Sequence, residues 1–235
     1  MPVARRRSPL PYDVIAGVEP CPGGWLVVSA RLLTTMVALE RAEVLPSFVD
    51  VLDYRPSFSI VALHAPIGLL EKGEPGGRPC DRAARRCLGA RRSPAVASAP
   101  SRAVLADPGS EPMSSSVRAV LPRILEVSRE MQPYWQRTVY EVNPELGFYQ
   151  LNGEVPMRWS KRTAAGRAER AELLHNRLPD MAVVLDAEIK GASIQHLLDA
   201  TVDLWTARRI IAHAVVRLPD DPLWDDQGMR MEVVY

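Results

Sequence analysis

A chain of 235 residues can bury a sizeable core as one large domain, or as one domain with insertions. Apolar residues at 47% and charged residues at 24% are ordinary for a globular protein, and no apolar run approaches the roughly 20 residues that cross a bilayer. Lys+Arg of 29 against Asp+Glu of 28 gives a formal charge of +1, which excludes a general attraction to nucleic acid and leaves only a local patch as a route to it.

In chain order, residues 1–11 place a basic triplet before prolines, where a secretory signal would carry an apolar segment. They are expected to form a disordered arm, and residues 12–235 a single cytoplasmic domain. Asp13 to Val18 and Trp25 to Ala30 read as strands around a Pro/Gly turn, and a third run near Thr34 to Leu39 closes an antiparallel meander. Ser47 to Tyr54 suits a short helix. Ser59 to Leu63 is a continuous apolar run ending at His64, as in a strand buried on both faces. Residues 70–118 are rich in Gly, Pro, Ser and Arg and predict a long loop with one short helix near Cys80 to Leu88. A helix over Val117 to Met131 follows, then a strand over Thr138 to Val142. Further helices begin near Pro144, near Thr163 (ending by His175) and at Ser193 (reaching Val216), and Met229 to Tyr235 reads as an edge strand. Strands first as a meander and then alternating with helices predict an α/β fold, a mixed sheet with helices on both faces.

Six blocks carry candidate chemistry. GVEPCPGGW brings Glu19 to a strand end, where a carboxylate held by backbone on both sides suits either a metal ligand or an exposed turn. ALHAPIGL puts His64 where a buried strand meets a loop, open to the roles of ligand, general base or structural group. RPCDRAARRCLGARR holds Arg78, Arg82, Arg85, Arg86, Arg91 and Arg92 with one acid, Asp81. The planar guanidinium fork suits phosphate, although a solvated charge run has the same composition. VYEVNPELGFYQLNG sets Glu141 inside a strand, and Glu145 in the first turn of a helix, where the dipole accounts for it. SKRTAAGRAERAELL offers Ser160 or Thr163 as a helix cap, with Arg167 and Arg170 free to meet phosphate or solvent. LLDATVDLWTARR spaces Asp199 and Asp203 four apart on one helix face, opposite an apolar stripe, the geometry of a solvated pair unless a cleft lies on that side. Cys21, Cys80 and Cys87 cannot all pair and match no zinc template, so reduced thiols are expected, with a Cys21–Cys80 contact left open.

Taken in order, these six blocks resemble a bacterial and archaeal family described as predicted RNase H-like nucleases and otherwise catalogued as a domain of unknown function. The resemblance runs from Tyr12 to the terminal MRMEVVY. It implies an RNase H-like, five-stranded mixed sheet, three strands antiparallel and the others parallel, flanked by helices and carrying residues 70–118 as an Arg/Pro/Gly-rich insertion. It also implies acids that hold divalent metal, Mg²⁺ or Mn²⁺, for phosphodiester hydrolysis. By motif, the catalytic set here is Glu19, His64, Glu141 and Asp199, with Glu19, Glu141 and Asp199 as metal ligands and the six arginines as phosphate contacts. The family's first block usually carries Asp where this chain has Glu19, and the block before PIGL usually carries Asp where this chain has His64. The longer Glu side chain shifts the carboxylate, and imidazole is a poor ligand for Mg²⁺. The expected function is a metal-dependent nuclease acting on nucleic acid. The alternative is a catalytically degenerate domain that binds nucleic acid or a nucleotide.

Overall fold

A computed structural model describes residues 12–33 and 36–235 of the chain. The expected N-terminal arm, and the start of the third strand at Thr34, lie outside the described residues.

Strands β1 (Asp13–Cys21), β2 (Gly24–Leu33) and β3 (Met36–Leu45) form the antiparallel meander. Gly24 has φ +139°, and a Cβ there would run into the Leu45 carbonyl, so the β1–β2 turn requires glycine. Helix α1 (Phe48–Leu52) is capped reciprocally by Ser47 and Asp50 and buries Phe48 and Val51 against the sheet. Strand β4 (Ile60–Leu63) then pairs with β1 in parallel. Helices α2 (Pro79–Arg92), α3 (Arg102–Ala106) and α4 (Ser115–Glu130) precede β5 (Val139–Glu141), which is parallel to β4. The result is an α/β fold around a five-stranded mixed sheet of order β3-β2-β1-β4-β5. Within residues 70–118 the expected short helix near Cys80 to Leu88 is the first part of α2, which breaks at Gly89 (φ +66°) before continuing to Arg92, and α3 adds a further turn.

Period two divides the strands between two cores. Val14, Ala16, Val18, Val61, Leu63 and Val139 face a layer built from α1, Val127 of α4, and Met131. Ile15, Ile60, Ala62 and Val142 face the other layer, made by α5 (Pro144–Leu151), α6 (Ala164–Arg177), α7 (Pro179–Ala182) and α8 (Ile194–Ile211). Helix α8 lies directly on β1 because Gly17 has no side chain: a Cβ there would collide with the backbone of Ala200 and Leu204. Strands β6 (Arg217–Leu218) and β7 (Val233–Val234) pair with each other, and a single parallel bridge joins Val142 to Val234. The expected strand over Met229 to Tyr235 is thus two residues long. A third apolar cluster joins α2 to this C-terminal segment through Cys80, Ala84, Leu88, Met231 and Val233. The three cysteines are free, and Cys21 and Cys80 sit in different clusters. Among the described residues, no helix is long and apolar enough to cross a membrane.

Candidate active site

The parallel strands end side by side, and the first functional pair follows from their register. Val18 pairs with Leu63, so the next residues, Glu19 and His64, are neighbours. The His64 backbone N–H donates to the Val18 carbonyl at 2.9 Å, and the His64 Nδ1 lies 2.6 Å from Glu19 Oε2. Glu19 is buried and His64 is partly open. With Nδ1–H donating to the carboxylate, the neutral ring keeps the lone pair of Nε2 for a cleft group. That is the orientation a general base needs.

Helix α8 contributes the second pair. Asp199, expected from the resemblance as a metal ligand, and Asp203, spaced from it as a solvated pair would be unless a cleft lay on that side, are both fully buried. The expectation assumed that α8 has one solvent side, but the sheet, α5 and α6 cover it almost all round. Lys161, from the loop between α5 and α6, donates to Asp199 Oδ2 at 2.6 Å. Asp199 Oδ1 and both oxygens of Asp203 have no hydrogen-bond partner among the described residues. Burial pushes the Asp199 carboxyl up to about 6, against the pull of Lys161. Burial, with Glu19 and Asp199 close by, raises Asp203 well above the usual carboxylate range. Burial works against the Lys161 charge, yet Asp199, Glu19 and Glu145 hold the ammonium above its ordinary value.

Glu141, expected beside these groups as a ligand, occupies the other side of the sheet end. It pairs with Leu63, whose side chain faces the opposite core from Glu19 and His64. There the buried Arg78 meets Glu141 Oε1 at 2.5 Å and Oε2 at 2.8 Å, Asp81 Oδ1 at 2.7 Å and the Gly68 carbonyl at 2.8 Å. The Ile67 N–H also donates to Glu141 at 2.8 Å. Cys80, Asp81 and Glu141 have ligand atoms near enough to hold a metal, but the Arg78 guanidinium already fills that role. Stripping a buried carboxylate of its partner costs about 3–5 kcal/mol, so Arg78 and Glu141 stabilise one another. Arg78 is therefore anchored to Glu141, Asp81 and the Gly68 carbonyl where it lines the cleft. Burial pushes the Cys80 thiol beside it up to about 12, the behaviour of a structural cysteine.

Glu145 is likewise internal: Arg92 reaches it at 2.9 Å and the fully buried Arg170 at 2.7 Å. Burial opposes its charge, but Arg170, Arg92 and Lys161 hold it below the usual carboxylate range. Of the remaining arginines, Arg82 and Arg85 bond the backbone carbonyls of Gly77 and Gly76 and Arg86 is exposed, while Arg91 and Arg92 reach the cleft.

That cleft has a volume of about 500 Å³ and opens over Glu19 and His64, with Arg91, Arg92, Arg123, Lys161 and Arg162 on its walls. Four groups that sequence reasoning passed over belong to it: Lys161, Arg162, Arg123 and His196. His196 sits in the first turn of α8, where Ser193 N–H donates to its Nδ1 at 3.0 Å. The serine-to-histidine spacing of three marks it as a capping pair, but nothing in that spacing points to a cleft.

The fold and this cleft define an α/β protein with a charge-paired site at the carboxyl ends of its parallel strands. The model of the family described as protein of unknown function, DUF429, matches residues 17–223, and the chain belongs to that family. No curated protein and no solved structure matches the chain.

Proposed function

We infer that this protein is a hydrolase of phosphodiesters, with nucleic acid as the substrate class, built on an RNase H-like sheet whose Arg/Pro/Gly-rich insertion supplies part of the cleft wall. The single observation that carries the reading is the Glu19–His64 pair, 2.6 Å apart at the strand ends, facing a cleft lined with six Arg and Lys side chains, of which Arg78 is tied to Glu141 and Asp81. The strand order β3-β2-β1-β4-β5, with acids on the first strand and the last long helix, supports the fold assignment.

In this reading a phosphodiester enters with its oxygens toward Arg91, Arg92 and Arg162. His64 Nε2 takes a proton from water as the water oxygen attacks phosphorus, and Glu19 stabilises the imidazolium that forms. The bridging oxygen leaves on the far side and takes up a proton from solvent, and the cationic wall offsets the charge gathering on the equatorial oxygens. The residues present do not fit the two-metal centre that the fold suggests. Glu141 is committed to Arg78 across the sheet, Asp199 carries Lys161, and Glu19 carries His64. No step is therefore assigned to a metal.

A binding module without turnover is the second reading, favoured by the internal neutralisation of Asp199 by Lys161. The two are separated by incubating a labelled oligonucleotide with the wild type, Glu19→Gln and His64→Ala. Cleavage that falls at least about a hundredfold in both variants, the usual worth of a general base, supports the hydrolase. Cleavage unchanged in both variants counts against it, and binding without cleavage by the wild type supports the module.

A further inference from the structure

We propose that His196 is a neutral hydrogen-bond donor to the substrate, its Nε2–H meeting a non-bridging phosphoryl oxygen of the phosphodiester held at the Glu19–His64 pair. The inference rests on the proposed phosphodiester cleft and adds a contact that the strand ends do not supply.

The ring is fixed through one nitrogen. The Ser193 N–H donates to His196 Nδ1 at 3.0 Å, and Ser193 Oγ lies 2.9 Å from the same atom. An accepting Nδ1 leaves the proton of the neutral ring on Nε2. His196 is half-buried and lines the cleft together with Glu19, His64 and Lys161. Among the described residues Nε2 has no hydrogen-bond partner, so a donor is left open to whatever enters.

Its place relative to the catalytic pair is set by packed elements. The turn before α8 is tied to the β1–β2 turn, where the Gly23 N–H donates to the Gly191 carbonyl at 3.1 Å, two residues before Ser193. Helix α8 itself rests on β1, the strand that carries Glu19. The charges of Glu19, Lys161 and His64 all reach the ring, and burial, the largest influence on it, favours its neutral form. The cations beside it are held as firmly. Glu169 of α6 accepts the N–H groups of Arg158 at 2.7 Å and Trp159 at 2.9 Å, and the Thr163 hydroxyl donates to the Ser160 carbonyl at 2.8 Å. That loop continues into Lys161 and Arg162.

A neutral donor does what these cations do not. Ammonium and guanidinium groups attract the phosphodiester as a whole, whereas a single N–H on a rigid ring meets one oxygen from one direction. The contact strengthens as charge gathers on that oxygen during attack. The proton stays on Nε2, since a neutral imidazole is too weak an acid to release it, and the leaving oxygen still takes its proton from solvent.

The test is imidazole NMR of the full-length wild type with a short phosphorothioate oligothymidylate, which resists hydrolysis, joined by anisotropy measurements on His196→Ala and His196→Gln. Binding should move the His196 Nε2–H proton resonance downfield. His196→Ala should weaken binding at least about tenfold, the usual worth of a hydrogen bond to a charged group. His196→Gln should recover most of the loss, because its amide can accept the Ser193 N–H and still donate. Oligothymidylate bound with the Nε2–H resonance unmoved would overturn the contact and show a capping role alone, whatever the folding of the variants. So would a folded His196→Ala that binds like the wild type. Both results leave the phosphodiester cleft standing, whereas no binding by the wild type would overturn the cleft and the contact together.

Discussion

Ser193 donates its backbone N–H to His196 Nδ1 at 3.0 Å, so that nitrogen must offer a lone pair and the neutral ring carries its proton on Nε2. Burial, joined by the positive charge of Lys161, lowers the His196 pKa from its ordinary 6.5. The cleft therefore holds two histidines held differently: His64 is bound through Nδ1 to a carboxylate, and His196 accepts a backbone N–H at Nδ1 and so presents a donor on Nε2 when neutral. The sign follows from the lowered pKa. The stabilisation tied to neutral His196 is complete above its unfolded value and is lost as pH falls through the depressed folded value, when protonation breaks the Ser193 bond. Nitrogen-15 NMR of the imidazoles should show an Nε2–H tautomer for His196 and a titration midpoint below 6.5. An Nδ1–H tautomer, or a midpoint above that value, would show that the cap does not set the ring.

At the scale of elements, the packing of α8 on β1 decides where the site acids lie. Gly17 is the residue that permits it, and Ala200, next to Asp199, is among the atoms its missing Cβ would meet. Replacing Gly17 by Ala should lower stability by about 1–3 kcal/mol through overpacking against backbone that cannot yield. Urea unfolding measures this, and a change within about 0.5 kcal/mol would mean that α8 docks more loosely than described. The same packing explains what the chain revealed before folding and what it concealed. Alternation marked the strands, and a strand-end position marked Glu19 and His64, because both signals are local. Which face of β5 carries Glu141 depends on its register with β4, and that register is a long-range property. The burial of Asp199 and Asp203 escaped the amphipathic pattern because that pattern supposes one solvent side, and α8 has almost none. Lys161 is brought to Asp199 by a loop anchored on α6, and no spacing of residues in the chain encodes that approach.

Over the whole molecule, a formal charge of +1 conceals a cleft whose walls carry Arg91, Arg92, Arg123, Lys161 and Arg162. The compensating acids are mostly inside. Glu141, Glu145, Asp81 and Asp225 are buried against Arg78, Arg92, Arg170 and Arg102, so they hold segments together, while Arg91 and Arg162 stay outside those pairs on the cleft wall. Such a surface attracts a polyanion locally, without a strongly basic composition. Hydrolysis and binding without turnover both need that attraction. The most direct measurement is fluorescence anisotropy of a labelled single-stranded oligonucleotide across a salt series, with wild type and an Arg91→Ala/Arg162→Ala double variant. The cleft predicts wild-type affinity that falls steeply with salt. In the double variant the slope should be shallower by about 1.4, because each phosphate neutralised on a single strand contributes about 0.7 to it. Affinity independent of salt, or a slope unaltered by removing both arginines, would contradict a phosphodiester cleft at this site.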